Sequence, residues 1–350
     1  MAGAPLPLSL ADTTANQPVF TMTAIESLLA AHRRIASRVS RTPLLSSSLL
    51  NQWLGHDIYF KAECLQKVGA FKARGACNAI AWLVENGRNP RRIVASSSGN
   101  HAQAVAWAAG LFGIPATVYM PANVSGVKAR ATESYGAQVV PCRDRREADA
   151  RVADVAAEPG TFWVPPYNDR QVILGQGTAV YEALSDMGAV DAVFAPCGGG
   201  GLLSGSLIAA RGLCPGAKVI GAEPLNANDA AKSLRAGSIQ PLAQSPDTLA
   251  DGAATLAVGD LTFAYLRQLD GFYEIEEEAI AYWCQWLNHL LKVRVEPTAA
   301  LGMAAASRWL AAQDGPKTVL VVLSGGNIDP STARALWRLD HLAARPSLRM

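Results

Sequence analysis

Asp191-Ala192-Val193-Phe194-Ala195-Pro196 runs through Cys197 into Gly198-Gly199-Gly200-Gly201 and then into an apolar stretch over 202–210, and the reading of this segment decides the fold. The first six residues read as a buried strand and the stretch after the glycines as a helix. A strand entering a helix through glycines lets backbone N–H groups wrap around a phosphate, because no side chain blocks the approach and the helix start carries the positive end of the dipole. Two better-known phosphate loops do not fit. A Rossmann fingerprint would need Gly or Ala where Ser204 stands, and a P-loop would end in Gly-Lys-Ser/Thr. A purely structural glycine run is the alternative, and it would cost conformational entropy without a ligand to offset it.

Outward from this segment the same alternation repeats. A helix is expected from Thr23 to before Thr42-Pro43, a strand over 58–61, a helix over 75–84, and a strand over 92–95 leading through Ser96-Ser97-Ser98-Gly99-Asn100-His101 into a helix over 102–109. Strands follow at 116–120 and 138–140 with a helix over 127–135 between them, then strands at 218–223 and 318–323. The segment 271–295 reads mostly as one amphipathic helix with Trp283, Trp286 and Leu290 facing the core. This is an α/β chain of two open, twisted, mostly parallel sheets flanked by helices, a class in which ligands bind at the carboxyl ends of strands. Pro165-Pro166-Tyr167-Asn168-Asp169 marks a passage between lobes. Residues 23–82 with 169–340 are expected to form a large domain, 83–168 a small substrate-side domain, and 1–22 a flexible lead-in.

Composition narrows the class. Of 350 residues, 50% are hydrophobic and 17% charged, which suits a well-buried globular chain. A net charge of +2 argues against a nucleic-acid partner, and the cluster Arg143, Arg145, Arg146 is interrupted by acids and reads as a solvated face. The 6 cysteines show no metal-ligand spacing and read as reduced thiols. No signal-peptide core or membrane-spanning apolar run is present, so a cytoplasmic protein without a membrane partner is expected.

Three segments carry the chemistry. Gly69-Ala70-Phe71-Lys72-Ala73-Arg74-Gly75-Ala76 places one amine among small residues, where a flat ligand can approach and desolvation can free the amine for attack on a carbonyl. A surface loop lysine is the alternative. The serine-rich turn before 102–109 offers a second anion site or, alternatively, an ordinary helix cap. Glu223 at a strand end and Asp229 in a turn can hold a hard divalent cation through oxygen ligands, or are a solvated pair of acids.

Taken together the motifs resemble the fold type II pyridoxal-phosphate enzymes, in the branch of threonine/serine dehydratases and serine racemases. The resemblance runs from about Ile25 to Arg338, through Phe71-Lys72-x-Arg74-Gly75-Ala76, Ser97-Ser98-Gly99-Asn100-His101, Gly175-Gln176-Gly177-Thr178, the four glycines, Glu296-Pro297-Thr298 and Ser324-Gly325-Gly326-Asn327. It implies Lys72 as the Schiff-base lysine, Gly198, Gly199, Gly200 and Gly201 around the cofactor phosphate, Phe71 beside the ring, Asn100 at its 3'-oxygen and Ser324 at its pyridine nitrogen. Ser97, Ser98, Gly99, Asn100 and His101 would receive the substrate carboxylate, with Ser98 as a base on the opposite face. Glu223, the carbonyl of Ala227, and Asp229 would hold Mg, Mn or Ca.

The implied reaction is loss of water from a β-hydroxyamino acid, with Lys72 removing the Cα proton, and hydrolysis of the released aminoacrylate to a 2-oxo acid and ammonia. A serine racemase, or a dehydratase for 3-hydroxyaspartate or phenylserine, is the nearest rival. A non-catalytic cofactor binder and a nucleotide-dependent oxidoreductase are the more distant ones. Ala70 and Leu225 depart from the serines of many relatives and leave the substrate side open. The family's habit implies a homodimer.

Overall fold

The run Thr318–Leu323 is threonine, valine and leucine throughout, a pattern suited to a strand covered on both faces. The computed structural model describes residues 23–122 and 126–348, and the expected lead-in at 1–22 lies outside them. Strands among the described residues are β1 (Leu44–Ser46), β2 (Asp57–Ala62), β3 (Arg92–Ser96), β4 (Ala116–Pro121), β5 (Gln138–Cys142), β6 (Thr161–Trp163), β7 (Ala192–Pro196), β8 (Lys218–Pro224), β9 (Gly271–Ile275) and β10 (Thr318–Leu323). They form two sheets, ordered β1-β2-β10-β7-β8-β9 and β5-β4-β3-β6. Every pairing of these strands is parallel except that of β1 with β2. One of the two middle strands of the larger sheet is β10, with Val321 opposite Phe60 on one side and Phe194 on the other. The class read from the sequence is the one observed. No helix among the described residues is long and apolar enough to cross a membrane.

Helix packing explains one of the sequence motifs. A Cβ on Gly177 would stand 2.6 Å from the carbonyl oxygen of Gly205, and one on Gly175 would stand 2.7 Å from the Cα of Gly75. The helices Lys72–Glu85, Arg170–Met187 and Gly201–Leu213 therefore touch backbone to backbone, which only glycine permits at these points. Gln176 completes the join by accepting the Gly75 N–H at 3.1 Å.

Three expectations need correction. Residues 271–275 are not the start of the helix: Gly271-Phe272-Tyr273-Glu274-Ile275 pairs with β8 as a strand, its adjacent aromatics and Ile275 suiting a pleated surface, and the helix Glu277–Leu291 begins afterwards. Trp283 and Trp286 are buried as expected. Lys72 does not sit in a loop but opens the helix Lys72–Glu85, and Asp229 likewise opens the helix Asp229–Ala236. The arginine cluster is exposed as expected, and it lies at the start of a helix the sequence did not mark, Arg145–Ala156, capped by Asp144 accepting the Glu147 N–H at 2.9 Å.

Beneath the helix that Lys72 opens lies a closed ionic cluster. Arg74, Lys61, Glu63 and Glu182 are all at most 1% exposed. Arg74 donates to Glu63 at 2.7 and 2.9 Å and to Glu182 at 2.8 and 2.8 Å. Lys61 donates to Glu182 and to the carbonyl of Thr42, each at 2.7 Å. Two cations face two carboxylates, so the desolvation of each charge is met by an opposite charge and by directed hydrogen bonds.

Candidate active site

Chain leaving β2 makes two short helical turns, Glu63–Leu65 and Lys67–Gly69, before Lys72. The segment is stitched to the loop after β10: Phe71 N–H donates to the Ser324 carbonyl at 3.0 Å and Gly326 N–H to that of Gly69 at 3.0 Å. The Lys72 amine donates to the carbonyl of Pro166 at 2.5 Å. Burial, followed by the charge of Arg145, pushes the amine down to about 7, against an opposing pull from Glu296. A free amine is therefore plentiful near neutral pH.

The glycines at 198–201 line the same cavity as Lys72, together with residues 97–101 and Ser324. Gly200 has φ of 92° and caps the helix Gly201–Leu213 with no side chain, so the first N–H groups of that helix are left for a ligand. A Cβ on Gly199 would stand 2.2 Å from the ring of Tyr167, and one on Gly200 would stand 2.8 Å from Cβ of Thr262. The cradle is thus packed from behind. The helix Asn100–Leu111 is likewise capped by Gly99 without a side-chain bond. Ser324 is buried, and its hydroxyl has no hydrogen-bond partner among the described residues.

The remaining ionisable groups follow from burial. His101 Nε2 lies 2.8 Å from the Val164 carbonyl, so it carries the proton, and burial, with the nearby Lys72 charge, pushes the ring down to about 3. Asn100 Nδ2 donates to Glu296 at 3.1 and 3.2 Å, and burial, then the Asp251 charge, pushes Glu296 up to about 8. Arg145, whose side chain is 43% exposed, lines the mouth of the cavity as well as the solvated face. Its ion pair with Asp149 is a loose 3.6 Å, while Asp149 accepts the Ser96 hydroxyl at 2.5 Å.

Glu223 and Asp229 lie at the end of β8, apart from the residues that line the cavity. Glu223 accepts the N–H groups of Ala230 at 3.2 Å and Ala231 at 2.7 Å. Burial raises Glu223 to about 9 and Asp229 to about 7, and neither Asp229 carboxylate oxygen has a directed hydrogen bond among the described residues. No group of three or more His, Cys, Asp or Glu side chains among the described residues is placed to hold a metal, so a cation here would need carbonyl ligands such as Ala227.

Sequence reasoning quoted Glu296 only as part of a motif and missed Arg145, Tyr167 and the Pro166 carbonyl as parts of the cavity. A glutamate directly before Pro-Thr at a helix start was the one available signal, since Pro297 takes the first helical position.

A desolvated amine, a helix start capped only by glycine and a serine hydroxyl without a partner among the described residues thus face one cavity, the arrangement an enzyme with a carbonyl cofactor needs. The family described as pyridoxal-phosphate dependent enzyme matches residues 35–325, and the chain belongs to it. It is 44% identical over 304 residues to the L-threo-3-hydroxyaspartate ammonia-lyase of Saccharomyces cerevisiae, covering 86% of this chain and 92% of that protein. It is 39% identical over 313 residues to the serine racemase of Homo sapiens, covering 88% and 92%. The crystal structure of a T.th. threonine deaminase superposes with a TM-score of 0.81 at 43% identity, covering 87% of this chain and 98% of that one. The chain is a fold type II pyridoxal-phosphate-dependent enzyme, similar to ammonia-lyases and serine racemases alike. Its residues fit the cofactor: an amine for the aldehyde, open N–H groups for the phosphate, and the unpartnered Ser324 hydroxyl for the ring nitrogen.

Proposed function

We propose that the substrate is a β-hydroxyamino acid with a second carboxylate, of the size of 3-hydroxyaspartate, that its β-hydroxyl and Cα proton leave as water to give an enamine, and that the released enamine, as its imine, takes up one water to give a 2-oxo acid and ammonia. The observation that carries this reading is Arg145, a guanidinium in the Lys72 cavity whose one ion pair among the described residues is long. Arginine suits a carboxylate because it offers two parallel donors. The named activity of the yeast relative supports the same choice.

The glycines of 198–201, Phe71, Asn100 and Ser324 would hold pyridoxal phosphate, with Asn100 toward its 3'-oxygen and Ser324 toward its nitrogen, and the group would supply a conjugated ring able to take up charge from Cα. The chain's own residues do the rest. The loop of Ser97, Ser98, Gly99, Asn100 and His101 receives the α-carboxylate at an uncapped helix start. Lys72, whose amine burial pushes down to about 7, takes the Cα proton in its unprotonated form, and the Pro166 carbonyl steadies the amine. A neutral His101 adds no competing charge beside it. Ser98, read as a base on the other face, gives a measure of racemisation. Glu223, Asp229 and the Ala227 carbonyl are read as a divalent-cation site, supported by the unpartnered Asp229 oxygens.

The test offers the holoenzyme L-threo-3-hydroxyaspartate, L-threonine, L-serine, D-serine and phenylserine and follows 2-oxo acid. The expected result is the highest kcat/KM for hydroxyaspartate, with Arg145→Gln, compared on the alkaline plateau of each pH profile, raising KM for that substrate far more than for serine. Preference for threonine or serine, insensitive to Arg145, would overturn the dicarboxylate reading. Serine changing hand without oxo acid would make the enzyme chiefly a racemase.

A further inference from the structure

Val68 has a backbone that the chemistry above does not explain. It is β-branched and buried, yet has φ of 56° and ψ of 14°. In this left-handed region a branched Cβ crowds the backbone, so the conformation must be imposed from outside. Gly69 follows at φ of 69°. The two reverse the chain just before Lys72.

What imposes the turn is Asn327, from the loop after β10. Its Nδ2 donates to the Val68 carbonyl at 2.7 Å and to Asn100 Oδ1 at 2.8 Å, so both amide hydrogens are used. Its Oδ1 lies 2.8 Å from where a Cβ on Gly69 would stand. Its own N–H donates to Glu296 at 3.2 Å. One side chain thus touches the turn leading to Lys72 and the asparagine read as a cofactor ligand.

We infer that Asn327 is a positioning residue for the reaction: its side-chain amide clamps the strained Val68-Gly69 turn that aims Lys72 and fixes which way Asn100 faces. With Asn100 Oδ1 held by a donor, the Asn100 Nδ2 is left to face Glu296 and the cavity. The inference rests on the reading of Lys72 as the reacting amine.

The experiment compares the wild-type holoenzyme with Asn327→Ala, Asn327→Asp, Val68→Gly and the Val68→Gly/Asn327→Ala double variant. It measures kcat, KM, the pH profile, thermal unfolding and the cofactor dissociation constant. Asn327→Ala is expected to lower kcat on the order of 10- to 100-fold with little change in KM. It should also weaken cofactor binding and move the acid limb of the profile to higher pH, as a freed turn lets water reach Lys72. Asn327→Asp, nearly the same shape but unable to donate to Val68, should lose at least as much. Adding Val68→Gly to Asn327→Ala should restore most of the loss, because glycine holds a left-handed turn without help. Wild-type kcat, cofactor affinity and pH profile in Asn327→Asp would overturn the inference. So would a loss in Asn327→Ala confined to thermal stability, or a double variant no better than Asn327→Ala. Reductive fixation of pyridoxal phosphate with peptide mapping separates the two readings. Label on a lysine other than Lys72 defeats the assignment of the amine, whereas label on Lys72 with wild-type-like variants defeats only the role of Asn327.

Discussion

Lys61 and Lys72 leave water within one stretch of chain and end in opposite conditions. Lys61 lies in the closed cluster with Arg74, Glu63 and Glu182, bonded to a carboxylate and a carbonyl. Burial lowers it, but the charges of Glu182 and Glu63 oppose that shift, and Arg74 beside it is held above its ordinary value. Lys72 meets a carbonyl instead, has the like charge of Arg145 nearby, and falls to about 7. Glu296 is displaced in the mirrored sense, up to about 8. Desolvation is common to both regions, and the partner decides the outcome. A matched charge makes a rigid strut, and an unmatched one makes a reagent.

The sharpest way to break this comparison is Lys72→Ala. It should cut 2-oxo acid formation by about 1,000-fold or more while leaving the melting temperature of the apo-protein unchanged or raised. A clear fall in melting temperature would make Lys72 a strut after all. Glu182→Gln tests the other side: it strands Lys61 and half of Arg74, and urea unfolding should show a loss of about 3–5 kcal/mol. A loss below about 1 kcal/mol would mean the cluster is no more than a surface-type pairing.

If Glu223, Asp229 and the Ala227 carbonyl form the proposed cation site, Mg or Ca at about a hundredfold excess over its dissociation constant should stabilise the fold by about 2.7 kcal/mol. A chelator should reverse the effect and Asp229→Asn abolish it. The effect should grow as pH rises through about 7, where Asp229 loses its proton. The smallest effect is on the pH profile. Because the reacting amine must be unprotonated, kcat/KM should rise with pH through about 7, and Arg145→Gln, by removing a like charge, should move that limb to higher pH. A limb that stays put would show that Arg145 is screened from the amine.

Much of this was legible in the sequence for a physical reason. Strands buried on both faces leave unbroken apolar runs, and a phosphate cradle needs glycine where the backbone must be bare, so β7, β10 and the glycines at 198–201 announced themselves. The 271–275 segment did not, because a five-residue strand joined directly to an amphipathic helix shares its apolar content and blurs the period. Arg145 was hidden for a different reason. Among Arg143, Arg146 and interleaved acids its charge looked like one of many, and only the start of the helix Arg145–Ala156 turns it toward the cavity. Val68 is harder still, since nothing local marks a valine for a left-handed turn whose holder, Asn327, is far along the chain.

The position of β10 has a consequence for how the molecule comes into being. One of the two middle strands of the larger sheet is the last strand synthesised among the described residues, and it lies between β2 and β7, which emerge from the ribosome earlier. Until Thr318 and its neighbours arrive, the nascent chain holds two apolar strands with an unfilled slot between them, the kind of open edge that recruits other chains. Messages cut short before this strand should therefore yield aggregates rather than a smaller working enzyme, and assembly of the sheet should be a late event dependent on chaperones.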